Sequence, residues 1–107
     1  MELTIDNYKE FFKGICVVEI SGESCANCIS LMPVLNNIIS KRNDCRLLNI
    51  EANMKTKFLM DLYEVRSVPA ILIVQDGVLI DKTYGFQVEE ILEIWINMRV
   101  KRLHNSI

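Results

Sequence analysis

The sequence predicts an α/β fold in which one mixed β-sheet carries helices on both faces. Two apolar runs, 15–20 and 70–74, have the pattern of strands that are buried on both sides. Segments between and after these runs repeat apolar residues every three or four positions, which is typical of amphipathic helices. The order helix, strand, helix, strand, helix, hairpin, helix gives one such sheet through right-handed crossovers. With 107 residues, 50% of them hydrophobic, the range 1–107 suits a single domain.

The N-terminal part of the chain predicts a short helix followed by a strand. Thr4 and Asp6 are possible helix caps, and three aromatic residues follow at helical spacing: Tyr8, Phe11 and Phe12. Gly14 ends this pattern. The strand 15–20 comes next, and residues 21–24 form the loop after it.

The middle of the chain predicts a long helix, a strand and a further helix. An apolar stripe runs from residue 26 to about residue 41 and comprises Cys28, Leu31, Met32, Leu35, Ile38 and Ile39. Pro33 lies inside this span, and because the stripe continues beyond it, we expect a kink there and not the end of the helix. Residues 46–50 predict the next strand, and a third helix is expected over residues 54–64.

The C-terminal part predicts a hairpin and a closing helix. Asp76-Gly77, between the strands 70–74 and 78–83, is typical of a tight hairpin turn, so these two strands are expected to be antiparallel. Gly85 breaks the chain before a long terminal helix, whose apolar stripe comprises Val88, Ile91, Leu92, Trp95, Ile96 and Leu103.

Composition and charge argue against several classes of partner. The chain has 12 Lys and Arg against 14 Asp and Glu, so its charge does not favour nucleic acid or an anionic membrane. No apolar run reaches membrane-spanning length, and the first residues lack the basic start and long apolar segment of a signal peptide. We therefore expect a cytoplasmic protein.

The four cysteines do not fit a disulfide scaffold, which is typical of secreted chains poor in core residues.

Cys25 and Cys28 lie where the strand 15–20 gives way to the long helix. A helix N-terminus has unpaired backbone N–H groups and a partial positive charge, which favour a thiolate on the first cysteine. We therefore predict that Cys25 is the nucleophile that attacks a substrate disulfide. Cys28, one turn later on the same helix, can resolve the mixed disulfide that results. The CxxC spacing also occurs in zinc sites, which remain an alternative on this evidence.

Further residues at defined distances from this pair make the chain similar to the thioredoxin family. Glu19 stands six residues before Cys25 and Pro33 five residues after Cys28, and the set is completed by Pro69, Gly77 and Gly85. The resemblance extends across nearly the whole chain. It implies a thioredoxin fold, reduction of protein disulfides, and a redox-active Cys25–Cys28 disulfide with no bound cofactor.

The resemblance also implies roles for individual residues. Glu19 matches the family's buried acid; a carboxyl group inside an apolar strand should have a raised pKa and exchange a proton with Cys28 during resolution. The alternative is that Glu19 lies near the strand end and reaches solvent. Pro69 resembles the family's cis-proline, beside which a substrate strand could pair with the backbone. The residues expected at the substrate surface are Ser24, Ala26, Asn27, Val68, Pro69 and Gly85.

The partners implied by the resemblance are disulfide-containing proteins as substrates and a flavin-dependent thioredoxin reductase that restores the dithiol. We expect the protein to act as a monomer. Neither nucleic acid nor a membrane is expected as a partner.

The chain departs from the family at several positions. It reads Ser24-Cys25-Ala26-Asn27-Cys28 where family members commonly carry Trp-Cys-Gly-Pro-Cys. Ser24 should leave Cys25 more open, with less apolar surface for substrate docking. Leu47 replaces the lysine that often accompanies the buried acid, and Ala70 replaces the threonine after the cis-proline. Few residues precede Asp6, so the first strand of the fold should be short or missing.

Two other functions and one other kind of site use the same residues. A glutaredoxin-like reductase linked to glutathione would employ the same cysteines, whereas an interaction module of the same fold would keep them with slow or no turnover. A zinc site would need Cys16 and Cys45 beside the pair. No metal is expected, because Cys16 lies within a buried strand, where a core thiol is typical, and the spacings form no second CxxC. His104 is distant in sequence from every cysteine, which disfavours a catalytic Cys/His pair.

Overall fold

The computed structural model describes residues 2–105, in which helices and strands follow one another along the chain. In order they are α1 (Tyr8–Phe11), β1 (Ile15–Ser21), α2 (Ala26–Ser40), β2 (Arg46–Glu51), α3 (Lys57–Leu62), β3 (Ala70–Gln75), β4 (Val78–Tyr84) and α4 (Glu89–Asn105). The strands form one sheet in the order β2-β1-β3-β4. Since β1 is parallel to β2 but antiparallel to β3, and β3 is antiparallel to β4, the sheet is mixed.

Alternate side chains of the two central strands, β1 and β3, point to opposite faces of the sheet. One face packs against α2 and α4 through Ile15, Val17, Leu31, Leu35, Ile71, Ile73, Leu92 and Ile96. The other face packs against α1, α3 and the residues next to them through Phe12, Cys16, Val18, Leu59, Tyr63, Leu72 and Val74. The predicted fold class, a mixed sheet with helices on both faces, is confirmed. Burial of these side chains is what positions the N-terminus of α2 at the end of β1.

The turn between β3 and β4 requires a glycine. Asp76 and Gly77 have φ angles of 51° and 87°, which fits the tight turn predicted for an Asp-Gly pair. A Cβ on Gly77 would lie 2.8 Å from the Lys9 Cγ and 3.2 Å from the Lys9 Cα. The hydroxyl of buried Tyr63 donates to the Gly77 carbonyl at 2.6 Å, which ties the turn to the end of α3.

Three details of the N-terminal and middle segments differ from prediction or refine it. Thr4 and Asp6 do not cap α1; the N-cap position is Asn7, whose side-chain oxygen accepts the Thr4 N–H at 2.7 Å. No strand precedes α1 within residues 2–7, in line with the expectation of a first strand that is short or missing. The third helix is shorter than the predicted 54–64, because the Asn53 side chain accepts the N–H groups of Lys55 and Thr56 and holds that stretch as a turn.

The buried face of α4 is rotated from the predicted one. Val88 and Ile91 were expected in the apolar stripe but are 55% and 57% exposed, whereas Val100 is fully buried. The residues that face the sheet are Leu92, Ile96 and Val100, spaced four apart. Ile91 precedes Leu92 by one position, which turns it about 100° away from that face. Although α4 is the longest helix, none of the described helices is long and apolar enough to cross a membrane.

Candidate active site

Cys25 and Cys28 form a disulfide at the junction of β1 and α2, with their Cα atoms 5.2 Å apart. Ser24 has a φ of 56°, in the left-handed region that residues other than glycine rarely adopt, and this bend leads the chain into the helix. Cys25 is the N-cap residue of α2, and its sulfur accepts the Cys28 N–H at 3.2 Å. Cys25 is partly exposed and Cys28 is 3% exposed, so the two sulfurs differ in their access to a partner.

A cavity of about 180 Å³ lies beside this disulfide. Its lining includes Ser24, both cysteines, Ile29, Met32 and Asn49. Ala26 and Asn27, also predicted at the substrate surface, are exposed in the first turn of α2. Ile29 is 74% exposed. It is absent from the predicted site because it lies outside the apolar stripe that marks the core face of α2. An apolar residue on the solvent side of that helix was the signal that could have revealed it.

Glu19 is fully buried, so the alternative that it reaches solvent is wrong. It lies in β1 opposite Asn49 of β2 and Ile71 of β3. The Asn49 Nδ2 donates to Glu19 Oε1, while Glu19 Oε2 has no hydrogen-bond partner within residues 2–105. Burial raises the pKa of this carboxyl from 4.5 to about 7, and the hydrogen bond from Asn49 opposes the rise. A carboxyl group with this pKa can gain or lose a proton at neutral pH.

Asn49 is the second site residue that the sequence pattern does not reveal. By the resemblance, the residue expected to accompany the buried acid on the next strand is at the position of Leu47, which replaces the lysine common in the family. The register of β1 and β2 places Leu47 opposite Val17 and Asn49 opposite Glu19. The Glu19 carboxyl is therefore contacted by the Asn49 amide, and not by the residue that replaces the lysine. Only a strand register could have revealed this contact, and periodicity does not supply one.

The Val68–Pro69 segment lies beside the loop that carries Cys25. Its peptide bond is cis. A Cβ on Gly22 would lie 2.8 Å from the Val68 Cγ2, so the backbone of that loop approaches Val68 closely. The Gly85 N–H donates to the Pro69 carbonyl at 2.8 Å. Three residues predicted at the substrate surface therefore lie together next to the loop: Val68, Pro69 and Gly85. Val68 is exposed and Pro69 is buried.

The two remaining cysteines are remote from this arrangement. Cys16 is fully buried among the residues that face α1 and α3, whereas Cys45 is half-buried and packs against the opposite face of the sheet. Burial raises the pKa of the Cys16 thiol and raises the pKa of Cys45 to about 11. Both groups are therefore neutral thiols at physiological pH and poor nucleophiles. His104 is exposed near the end of α4.

A shared zinc site is not compatible with this geometry. Cys16 and Cys45 lie on opposite faces of the sheet and so cannot converge on one ion with the Cys25–Cys28 pair. Among residues 2–105, no group of three or more His, Cys, Asp or Glu side chains is arranged to hold a metal.

Comparison with known proteins agrees with the geometry. The family model Thioredoxin matches residues 1–98. A thioredoxin of Chlamydia pneumoniae is 28% identical over 98 residues, covering 89% of this chain and 93% of the relative. A thioredoxin of Rickettsia typhi is 31% identical over 87 residues, covering 78% and 80%.

Solved structures show the same fold. Thioredoxin f2 from Chlamydomonas reinhardtii superimposes with a TM-score of 0.76 at 17% identity, covering 92% of this chain and 94% of that one. The short form of spinach chloroplast thioredoxin f gives a TM-score of 0.75 at 19% identity, covering 92% of each chain. On the family match, the sequence relatives and the disulfide at the start of α2, the chain belongs to the thioredoxin family.

Proposed function

We propose that this protein reduces the disulfide bonds of other proteins by exchanging them with the Cys25–Cys28 pair. Membership of the thioredoxin family and the disulfide itself support thiol-disulfide oxidoreductase activity. The observation that carries the finer proposal is the unequal exposure of the bonded cysteines: Cys25 is partly exposed at the N-cap of α2, while Cys28 is buried one turn later. An incoming disulfide can reach the sulfur of Cys25. Cys28, one turn later on α2, can then displace the substrate sulfur from Cys25.

The first half of the exchange uses Cys25 as the nucleophile. In the reduced protein, the Cys25 thiolate is favoured by the N-terminus of α2 and by the Cys28 N–H, which points at its sulfur. The thiolate attacks one sulfur of the substrate disulfide. A bond forms between Cys25 and that sulfur, the substrate S–S bond breaks, and the second substrate sulfur leaves as a thiolate that takes up a proton.

The second half uses Cys28 and Glu19. Cys28 must lose its proton before it can attack, and the buried Glu19 carboxylate is the group we assign to accept it. The Cys28 thiolate then attacks the Cys25 sulfur. The Cys25–Cys28 bond forms, the mixed disulfide breaks, and the substrate leaves with both of its sulfurs reduced. Two electrons pass from the cysteine pair to the substrate, and no bound cofactor takes part.

The substrate surface in this proposal surrounds the exposed side of Cys25. Ser24, Ala26 and Asn27 flank it on the loop and the first turn of α2. The backbone at Val68 and Pro69, together with Gly85, would pair with an extended substrate strand. The exposed side chains of Ile29 and Val68 supply apolar surface in place of the aromatic residue that Ser24 replaces.

The oxidised pair must be reduced again after each cycle. We propose a flavin-dependent thioredoxin reductase for this step, with the protein working as a monomer in the cytoplasm. A glutathione-linked cycle and an interaction module without turnover are the alternatives, and the same assay distinguishes them.

The test is reduction of insulin by the purified protein with three separate sources of electrons: thioredoxin reductase with NADPH, glutathione with its reductase, and dithiothreitol. We expect turnover with dithiothreitol and with thioredoxin reductase, and little with glutathione. Turnover with glutathione but not with thioredoxin reductase would establish the glutaredoxin-like alternative. Absence of turnover with all three, in protein whose Cys25–Cys28 disulfide forms and breaks, would contradict the reductase proposal and favour the interaction module.

A further inference from the structure

Asn49 connects the cavity beside the disulfide to the buried carboxyl of Glu19. Its side chain lines that cavity together with Cys25 and Cys28. The same Nδ2 atom donates to Glu19 Oε1 and lies 3.3 Å from Ser21 Oγ and 3.6 Å from Met32 Sδ. The residue is exposed on its cavity side. Asn49 is therefore the polar group that stands between solvent in the cavity and a carboxyl that is fully removed from solvent.

Within residues 2–105, no charged side chain pairs with Glu19 and could replace this amide. Neither α2 nor β3 carries an Asp, Glu, Lys or Arg. On β2 the charged residues stand at the two ends, where Glu51 is exposed and Arg46 contacts the Cys16 sulfur and two carbonyls near α1.

The remaining helix on that face, α4, directs Glu89 and Glu93 to the C-terminal end of α2. Glu89 and Glu93 lie within 3.9 Å and 3.7 Å of the Lys41 ammonium, and Glu89 also accepts from Asn37. Farther along α4, Arg99 pairs with Asp81 of β4. Within residues 2–105, the hydrogen-bonded contact of the Glu19 carboxyl is therefore the Asn49 amide.

We propose that Asn49 is a positioning residue for the closure of the Cys25–Cys28 bond: its amide holds the Glu19 carboxyl and favours its ionised, proton-accepting form. The proposal rests on the proposed function, because it requires Glu19 to accept the Cys28 proton. An N–H that donates to a carboxylate stabilises the charged form over the neutral acid. Burial acts in the opposite direction and raises the pKa of Glu19. Without the amide, burial acts alone, and Glu19 is protonated over a wider range of pH.

The amide changes one step of the reaction. The proton of the Cys28 thiol passes to the Glu19 carboxylate, and the Cys28 thiolate attacks the Cys25 sulfur of the mixed disulfide. The Cys25–Cys28 bond forms as the bond from Cys25 to the substrate breaks, and the substrate sulfur leaves as a thiolate. If Glu19 already holds a proton, it cannot accept another, so the closure slows at pH values below the pKa of the carboxyl.

The experiment measures closure in a single turnover. Reduced protein is mixed with an aromatic disulfide whose two halves absorb when released, so that the second release reports closure of the Cys25–Cys28 bond. Wild type is compared with Asn49→Leu, which preserves size without a donor, and with Asn49→Gln, which retains the amide. For Asn49→Leu we expect closure at pH 6 to slow by about tenfold, because a hydrogen bond to a charged group is lost. The rate at pH 9 should match wild type, and Asn49→Gln should recover part of the loss at pH 6.

A double-mutant cycle separates positioning from a merely structural role. In a Glu19→Gln background, Asn49→Leu should cause no further change in the pH profile, since the group through which it acts is gone. A loss that is equal at every pH, or one that persists unchanged in the Glu19→Gln background, would overturn the proposal.

Because the probe is a small disulfide and only closure of the Cys25–Cys28 bond is followed, the result does not depend on whether the protein reduces insulin. Failure of the proposed function and failure of the Asn49 role are thus distinguishable.

Discussion

Replacement of Cys25 by serine is expected to lower the rate of insulin reduction by at least about 10³-fold, to the rate of the reductant alone, as losses of a catalytic nucleophile do in other enzymes. A serine hydroxyl is not ionised near neutral pH and cannot form the mixed disulfide. Because Cys25 is the N-cap residue of α2 and serine is a favoured N-cap residue, the fold should be retained. The measurement is steady-state reduction of insulin with dithiothreitol, alongside circular dichroism of both proteins.

Cys45→Ser is the matched control for this experiment. Cys45 is a half-buried thiol whose pKa is raised to about 11 and which packs on the face of the sheet covered by α2 and α4. This variant should keep the wild-type rate. Turnover that survives the loss of Cys25 but falls with the loss of Cys45 would move the nucleophile to Cys45 and contradict the assignment.

Replacement of Glu19 by glutamine is expected to change how stability depends on pH. Burial raises the pKa of Glu19 to about 7 in the folded protein, against an ordinary value of 4.5. Between these values the folded state binds more protons than the unfolded state, so the free energy of unfolding falls as pH rises through this interval. The difference between the two pKa values corresponds to about 3 kcal/mol. Wild type should therefore lose about 3 kcal/mol relative to Glu19→Gln between pH 4.5 and pH 8.

Denaturant unfolding of the oxidised proteins across this pH range provides the measurement. Asp44 and Asp81, whose pKa values are lowered in the folded state, are present in both proteins, so their effects cancel in the difference. Parallel pH curves for wild type and Glu19→Gln would mean that the carboxyl of Glu19 titrates at its ordinary pKa. That outcome would remove the basis for its role in proton transfer at neutral pH.

The parts of the site that were predictable are those set by short stretches of sequence. The position of Cys25 and Cys28 needs only the end of an apolar strand and the start of an amphipathic helix. The burial of Glu19 follows from its place in a run that is apolar on both faces. These features require no knowledge of how distant segments pair.

The parts that were missed depend on pairing and on helix rotation. The contact between Glu19 and Asn49 joins residues 30 positions apart and follows from the register of two strands. In α4, apolar residues form two adjacent stripes, one through Ile91 and one through Leu92 and Ile96. The spacing of these apolar residues does not indicate which stripe faces the sheet. The packing of α4 against α2 and the sheet makes that choice.

The central claim is that Cys25 accepts the substrate sulfur and Cys28 releases it, and trapping with Cys28→Ser tests it most directly. The reduced variant is mixed with a protein disulfide, the adduct is isolated without reductant, and its linked peptides are identified by mass spectrometry. A stable mixed disulfide through Cys25, absent from wild type because Cys28 resolves it, is the predicted result. An adduct through Cys16 or Cys45, or no adduct at all, would contradict the claim.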